Sequence, residues 1–291
     1  MYSLWVVGEV GMLSVEDMEC IRAHHKRCDR RPVLLYEGDF QQLPPGVGDT
    51  PDVRTVGWWH DIMKIELKGN QRSTDDKLTQ FLNSVRYHRP SYTDIAWLRS
   101  WTLDEFLTES ALRKAWQLLP SPVILTATRQ VAAAVNAMGV QLFAGQLLAN
   151  IAVWSDQVHE EVIKMQVYEN CKLEITRNLD VDKGLVNGCV CDLVAVRPFG
   201  LEVRMQDGSI EHVYRRAEKV DRCRSAFDVR LGYSCTVHKV EGSTLPAAII
   251  CWEDWAPPGW GYTALSRVKT LETVRFVGYP QVRHFIPREK H

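Results

Sequence analysis

The stretches LWVVGEVGMLSVEDME (residues 4–19) and PVLLYEGDFQQLPP (residues 32–45) decide the fold class of this chain. Each opens with a short apolar run that ends at a glycine turn, which is typical of a buried strand in a parallel sheet. Between the two runs, Ser14 with Asp17 three residues later is a helix N-cap signal. The order strand, helix, strand predicts an α/β sheet.

The carboxyl ends of the predicted strands, 4–7 and 32–36, are the expected ligand-binding edge. In open α/β sheets, ligands bind beyond the carboxyl ends of the strands. Glu9, Asp39 and Gln42 follow these strands directly. Their side chains are therefore candidates for a functional site.

The remainder of the chain predicts a second strand-helix unit that carries an insertion. Residues 75–119 have apolar residues at helical spacing. Val123–Thr126, followed by a helix from Gln130 to about Leu148, begins this second strand-helix pair. From about Met165 to Val220, short alternating segments separated by Gly, Asn and Asp predict a small antiparallel β insertion. A last buried strand is predicted at Ala247–Trp252.

Composition identifies a globular protein without identifying its task. The chain has 291 residues, 45% hydrophobic and 24% charged, with 35 Lys and Arg against 36 Asp and Glu. Any nucleic-acid contact must therefore come from a local surface, because there is no global basic field. The eight cysteines show no C-x-x-C pair, which favours reduced thiols in an intracellular protein. No basic leader and no run of 18 apolar residues occur, so secretion and membrane spanning are not expected.

Six strings, in one order along the chain, resemble the PIF/RecD-like helicases of superfamily 1, the petite-integration-frequency family. They are VVGEVGMLS at 6–14, GDFQQLPP at 38–45, LKGNQRS at 67–73, LVNG at 185–188, YSCTVHKVEGSTL at 233–245 and YTALSRV at 262–268. The match spans nearly the whole chain. The resemblance implies an α/β protein with two RecA-like domains of the P-loop NTPase type, the first truncated at its N-terminus, and a small β-barrel-like insertion in the second.

The same resemblance implies a division of the chain into domains. Residues 1–66 would form the partial first RecA-like domain, 67–120 a helical connection, 121–164 and 221–291 the second RecA-like domain, and 165–220 the β insertion.

Four residues would, by resemblance, carry the chemistry of ATP hydrolysis. Glu9 would orient the attacking water, and Gln42, on a turn stiffened by two prolines, would sense the γ-phosphate. Arg72 and Arg267 would neutralise the charge that develops on the phosphate in the transition state. The simpler alternatives are an ordinary surface glutamate and arginines in surface salt bridges.

The string at 233–245 would, by resemblance, face single-stranded DNA and link it to the nucleotide. Thr236, His238 and Lys239 have side chains that suit contacts with a phosphate backbone. Their alternative is a buried histidine beside a solvated lysine. Glu241 and Gly242 would lie at the nucleotide. Glu241 stands where the family usually has glutamine, which predicts an added negative charge near phosphate or ribose.

The chain departs from the family on the phosphate-binding side. It contains no G-x-x-x-x-G-K-[ST] string and no Gly-Lys dipeptide, so the backbone cradle for the β and γ phosphates is missing. Gly8 stands where the family has the aspartate that supports Mg²⁺, and a glycine offers no ligand atom. ATP and Mg²⁺ are expected for the family, but these absences argue against tight binding by this chain alone. No metal site is assigned, and the isolated chain is predicted to be inactive.

Two other patterns favour packing over function. Cys20, His24 and Cys28 share one helix, and three ligands on one helix rarely complete a tetrahedral metal site. The three tryptophans of 252–260 could stack on bases, but tryptophans are more often in a core.

The sequence thus implies an ATP-dependent DNA helicase whose partner is single-stranded DNA, with no membrane association. The rival hypotheses are a non-catalytic pseudo-helicase that binds single-stranded nucleic acid, and a gene fragment. The implied location is intracellular: the nucleus or mitochondrion if the source is eukaryotic, and otherwise the cytoplasm. By resemblance, the implied process is genome maintenance, including DNA repair, recombination and telomere maintenance.

Overall fold

The computed structural model describes residues 3–45, 51, 53–67, 72–155, 161–217 and 225–288. The helices are α1 Val15–Arg27, α2 Asp76–Val85, α3 Tyr92–Arg99, α4 Glu109–Leu118, α5 Arg129–Phe143 and α6 Trp260–Leu265. The strands are β1 Leu4–Val7, β2 Val33–Tyr36, β3 Thr102–Asp104, β4 Val123–Thr126, β5 Leu147–Trp154, β6 Val162–Tyr168, β7 Lys172–Ile175, β8 Val190–Arg197, β9 Gly200–Arg204, β10 Ile210–Tyr214, β11 Arg216–Ala217, β12 Ser225–Ala226, β13 Val229–Leu231, β14 Ser234–Thr236, β15 Ala248–Cys251 and β16 Val274–Val277.

The chain forms two compact units. The first unit comprises Met1–Thr128 and Thr236–His291, and the second unit comprises Arg129–Cys235. Among the described residues, none of the helices combines the length and the apolar character that crossing a bilayer demands.

The predicted strand-helix-strand order at the start of the first unit is confirmed. Strands β1 and β2 pair in parallel. Helix α1 begins after Ser14, whose hydroxyl accepts a hydrogen bond of 3.0 Å from the Asp17 backbone N–H. The Asp17 carboxylate in turn accepts the Ser14 backbone N–H at 3.1 Å. This reciprocal pair satisfies two N–H groups that the first turn of a helix leaves without partners.

The expectation that β1 and β2 are buried is wrong for one of their two faces. The outward side chains are those of Leu4, Val6, Val33 and Leu35, which are 57%, 54%, 59% and 49% exposed. Alternate side chains of a strand point to opposite faces, so the other face alone packs against the local core, which includes Met18 and Trp59. A continuous apolar run does not by itself show that both faces are covered.

A parallel sheet of β4, β15, β16 and β3, in that order, forms the centre of the first unit. Strand β15, inside this sheet, is buried at every residue. Strand β4 has the predicted bounds, and β15 lies inside the predicted range 247–252. The predicted helical stretch 75–119 contains α2, α3 and α4, and also the short strand β3.

The second unit contains α5 and a set of antiparallel strands. Helix α5 ends at Phe143, short of the predicted Leu148. The Gly145 N–H donates to the Glu169 carbonyl at 2.8 Å, and Glu169 N–H donates to the Gln146 carbonyl, so the β5–β6 ladder begins here. Strands β10, β9, β8, β7 and β13 form one sheet in that order. Antiparallel strands are therefore present in the predicted range, but they begin earlier, at β5, and continue later, to β13. That they form an insertion, and that it closes into a barrel, stay predictions.

Candidate nucleotide site

Gln42 and Arg267, which are far apart in sequence, meet in the first unit. Arg267 follows α6 and is 1% exposed. Its Nη2 donates to Gln42 Oε1 at 3.1 Å and to Ser266 Oγ at 2.8 Å. Its Nε donates to the Thr263 carbonyl at 3.0 Å. The surface salt-bridge alternative for Arg267 does not describe this buried guanidinium.

Arg72 lies beside Arg267. Its Nε donates to Thr244 Oγ1 at 2.8 Å, its Nη1 to the Ser266 carbonyl at 2.8 Å, and its Nη2 to the Gly242 carbonyl at 3.4 Å. Burial lowers the pKa of Arg267 to about 10, and the positive charge of Arg72 acts in the same direction. Two like charges held close together would both be stabilised by an anion between or beside them.

Glu9 approaches the same place from the end of β1. Its backbone is left-handed, with φ of 49°, and it precedes the 3-10 turn Val10–Met12. A Cβ on Gly242, whose φ is +78°, would lie 3.0 Å from Glu9 Oε1. Both the left-handed backbone and the close approach favour glycine at position 242.

Glu241 is half-buried between these groups. Its carboxyl accepts the Leu43 backbone N–H, and burial raises its pKa to about 8. Arg267 opposes this rise, Glu9 adds to it, and Arg288 opposes it more weakly. Burial therefore favours the neutral carboxyl, which works against the negative charge that the sequence predicts at this position.

Asp39 anchors the turn that carries Gln42. Its carboxylate accepts hydrogen bonds from Tyr262 Oη at 2.8 Å and Arg86 Nη2 at 3.0 Å. It also accepts the Gln41 backbone N–H at 3.0 Å. Arg86 and Tyr262 were not identified from the sequence as partners of Asp39. Tyr262 could have been, because it is the first residue of the YTALSRV string.

Arg288 holds the same turn from the C-terminal segment. Its Nη1 donates to the carbonyls of Gly11, Leu43 and Gln42 at 3.1, 3.2 and 3.4 Å. The residue is 8% exposed. No string in the sequence pointed to Arg288, because its partners are backbone carbonyls that any residue could supply.

Gly8 lies beside a carboxylate of the neighbouring strand end. A Cβ on Gly8 would meet Glu37 Oε1 at 3.2 Å. Both residues are exposed. Gly8 itself offers no side-chain ligand atom, and Glu37 was not identified from the sequence.

The residues predicted to contact DNA adjoin Glu241 along the chain. Thr236 ends β14, and His238 and Lys239 lie in the 3-10 turn Val237–Val240. All three are half-buried. Their contact with single-stranded DNA stays a prediction.

The tryptophans of 252–260 mostly belong to the core. Trp252 and Trp260 are buried, and their ring centroids are 5.2 Å apart. Trp255 is exposed. In helix α1, His24 stacks on Trp5 with centroids 5.6 Å apart, and the Cys28 thiol lies 3.5 Å from the His24 carbonyl. The packing interpretation describes Trp252, Trp260 and His24.

Comparison with known proteins gives one consistent likeness, although the chain matches no family model. It is 26% identical to the ATP-dependent DNA helicase PIF1 of Danio rerio, over 94% of this chain and 46% of that protein. It is 23% identical to the protein of the same name in Homo sapiens, over 96% of this chain and 48% of that protein. The chain thus spans about half the length of the curated relatives it matches.

Solved structures show the same fold. The Bacteroides Pif1 helicase in complex with ADP-AlF3 and ssDNA superposes with a TM-score of 0.77 at 18% identity, covering 98% of this chain and 73% of that one. The Candida albicans Pif1 helicase superposes with a TM-score of 0.70 at 16% identity, covering 98% and 74%. The α/β fold expected from the sequence, with RecA-like domains, is confirmed.

Proposed function

We propose, from its PIF1-like sequence and fold, that this chain is the arginine-bearing part of an ATP-dependent DNA helicase, a motor that couples ATP hydrolysis to DNA unwinding. One observation carries the proposal: the buried Arg267 guanidinium contacts the Gln42 amide at 3.1 Å, with Arg72 beside it. A γ-phosphate bound at this site would be contacted by these two guanidinium groups and by the Gln42 amide.

The geometry supports a division of labour in phosphoryl transfer. Such transfer depends on a positioned nucleophile and on cations matched to the phosphate charge. Glu9 orients the attacking water, and Gln42 senses the γ-phosphate. Arg267 and Arg72 neutralise the charge that develops on the transferred group. In nucleotide hydrolases, losing such an arginine costs roughly a thousandfold or more in rate.

The residues fit only one end of a nucleotide. The chain has no phosphate loop, so nothing in it cradles the β-phosphate through backbone N–H groups and a lysine. Gly8 provides no side-chain oxygen, so the carboxylate that supports Mg²⁺ in the family is missing at this position. ATP is therefore the proposed cofactor of the whole motor, and the roles assigned to this chain belong to its own side chains alone.

Single-stranded DNA is the proposed partner. Thr236, His238 and Lys239 contact its phosphate backbone, and Glu241 lies two residues after Lys239. A change at the nucleotide can therefore reach the DNA-contacting turn over a few residues. An intracellular location follows from the substrate, in the nucleus or mitochondrion of a eukaryote or in the cytoplasm otherwise, and genome maintenance is the process.

The proposed domains keep the boundaries that the sequence implies. They are a partial first RecA-like domain at 1–66, a helical connection at 67–120, a second RecA-like domain at 121–164 and 221–291, and a β insertion at 165–220.

A second candidate is a non-catalytic pseudo-helicase that binds single-stranded nucleic acid, and it is favoured by Gly8, at a position where the family has an aspartate. The two candidates differ in whether nucleotide and DNA binding are coupled. A coupling free energy between two sites typically changes affinity roughly 5- to 150-fold. A passive binder has no such coupling.

The test measures the affinity of the purified chain for a fluorescent single-stranded oligonucleotide, with and without ADP and aluminium fluoride. For the motor, the nucleotide analogue changes the affinity at least about fivefold, and Arg267→Lys removes the change. Lys239→Ala weakens binding in both states, whereas Lys114→Ala on α4 leaves it unchanged. A DNA affinity that does not change with the analogue would favour the pseudo-helicase. Absence of DNA binding would overturn both candidate functions. ATPase activity stimulated by DNA is not expected, and turnover abolished by Glu9→Gln would contradict the predicted inactivity.

A further inference from the structure

We propose that the candidate nucleotide site binds phosphate groups together with a proton, which Glu241 carries and uses to donate a hydrogen bond to a phosphate oxygen. The inference rests on the proposed function, because it assigns a proton-dependent regulation to the same site. It concerns the phosphate end of a nucleotide and no particular base.

The Glu241 carboxyl is only partly hydrogen-bonded. One part of it accepts the Leu43 backbone N–H, from the turn that carries Gln42. Its Oε2 is buried and has no hydrogen-bond partner among the described residues. A buried polar atom without a hydrogen-bond partner is destabilising. A protonated Oε2 becomes a donor. Because this atom is buried, the Glu241 side chain turns toward the bound anion before a phosphate oxygen accepts its hydrogen bond.

Among the described residues, three charged side chains act on Glu241. Arg267 faces it from the end of α6, and Arg288 from the C-terminal segment. Glu9 faces it from the end of β1. An ionised Glu241 would put a second carboxylate beside the two guanidinium groups, cancelling the positive field that an anion needs. With Glu241 neutral, the carboxylate of Glu9 still opposes the positive charge of Arg267.

Phosphate binding at this site should depend on pH. Burial holds the pKa of Glu241 at about 8 in the free protein. A bound phosphate adds negative charge nearby, which favours the protonated form further. Below about pH 8 the site is ready to bind. Above that pH each pH unit costs about tenfold in affinity, because a proton must first be taken from solvent.

Isothermal titration calorimetry with ADP, and separately with inorganic pyrophosphate, tests the inference between about pH 7.5 and 9.5. In this range the terminal phosphate of ADP is fully ionised, because the second pKa of a phosphate ester is about 6. Wild-type affinity for ADP falls about tenfold per unit above about pH 8, and Glu241→Gln keeps its affinity. Glu105→Gln, an exposed matched change, behaves as wild type. Binding of pyrophosphate with the same dependence assigns the effect to the phosphates, whereas ADP binding alone would overturn the assignment to a phosphate contact.

The outcomes separate the two proposals. If wild type and Glu241→Gln bind ADP with parallel pH dependence, the proton-carrying role is overturned and the nucleotide site stands. If neither binds ADP or pyrophosphate at any pH, this inference is overturned, whereas the proposed function is decided by the DNA-binding test described for it. Thermal unfolding gives an independent reading: raising the pH from about 6 to about 9 should destabilise wild type relative to Glu241→Gln, and equal slopes would overturn the inference.

Discussion

Arg267 Nη2 donates a hydrogen bond of 3.1 Å to Gln42 Oε1, joining two residues 225 positions apart in the sequence. The contact links the turn after β2 to the residue that follows α6. It orients the Gln42 amide, while Asp39 accepts a weaker contact from Gln42 Nε2 at 3.4 Å. Gln42 and Arg267 are therefore held by the same polar network.

Replacing Arg267 with alanine should destabilise the fold as well as the site. The substitution removes hydrogen bonds to Gln42, Ser266 and the Thr263 carbonyl and leaves buried acceptors without a donor. We expect a loss of about 2–4 kcal/mol in the free energy of unfolding, measured in urea. Arg283→Ala is the control, because its ion pair with Asp254 is on the surface, and it should cost within about 0.5 kcal/mol. Equal losses for the two variants would contradict the buried network.

Candidate residues for this site could be named from the sequence because they fall in strings that resemble a known family. Glu9, Gln42, Arg72 and Arg267 were assigned in this way, and all four lie in the first unit, while their roles stay predictions. The capped start of α1 was predictable for a similar local reason, since Ser14 and Asp17 satisfy each other within one turn.

What the sequence did not predict depends on contacts between distant segments. Arg288 binds three backbone carbonyls, and carbonyls leave no signature in a sequence. The protonation of Glu241 follows from burial, which is a property of the folded chain. The exposed face of β1 and β2 was also not predicted. An apolar run shows that a strand is suited to burial, but it does not show that other residues cover both of its faces.

Gly8→Asp should introduce a repulsion with Glu37. The new Cβ would lie 3.2 Å from Glu37 Oε1, so two carboxylates would share one small region. At a separation of about 4 Å in water, like charges repel by about 1 kcal/mol. We expect a loss of about 0.5–1 kcal/mol in the free energy of unfolding at low salt, shrinking at about 1 M salt.

A double-mutant cycle checks the cause of that loss. Glu37→Gln should restore most of the stability of Gly8→Asp, and Gly8→Asn, without the charge, should show little coupling to Glu37. A loss that persists in the Gly8→Asp, Glu37→Gln pair would point to the glycine backbone and away from charge.

Val6→Thr and Val53→Thr make a matched pair that tests the exposed strand face. Val6 is 54% exposed and Val53 is 1% exposed. Burying the hydroxyl of Val53→Thr should cost about 1–3 kcal/mol, whereas Val6→Thr should cost less than about 0.5 kcal/mol. Because exposed apolar strand faces promote association, Val6→Thr should also lower light scattering on concentration. Equal destabilisation by the two changes would show that the outer face of β1 is covered in solution.

His284 should make the first unit sensitive to acid. The side chain is 2% exposed and stacks on Trp252 with ring centroids 5.1 Å apart. Nδ1 accepts the Gln281 backbone N–H at 3.0 Å, so the ring proton is assigned to Nε2, which donates to the Glu253 carbonyl at 2.7 Å. Both nitrogens of the neutral ring are thus satisfied. A second proton would abolish the acceptor at Nδ1 and charge a buried ring.

Burial lowers the pKa of His284 below its ordinary value of 6.5, against the opposing effect of the Glu253 carbonyl. The unfolded chain therefore takes up a proton near pH 6.5 while the folded chain does not, so stability falls as the pH drops below about 6.5. The fall continues until the pH reaches the lowered folded-state pKa. We expect the melting temperature of wild type to drop more steeply between about pH 7 and pH 5 than that of His284→Gln. His88→Gln, at an exposed position, should follow wild type, and parallel curves for wild type and His284→Gln would exclude His284 as the source of the acid sensitivity.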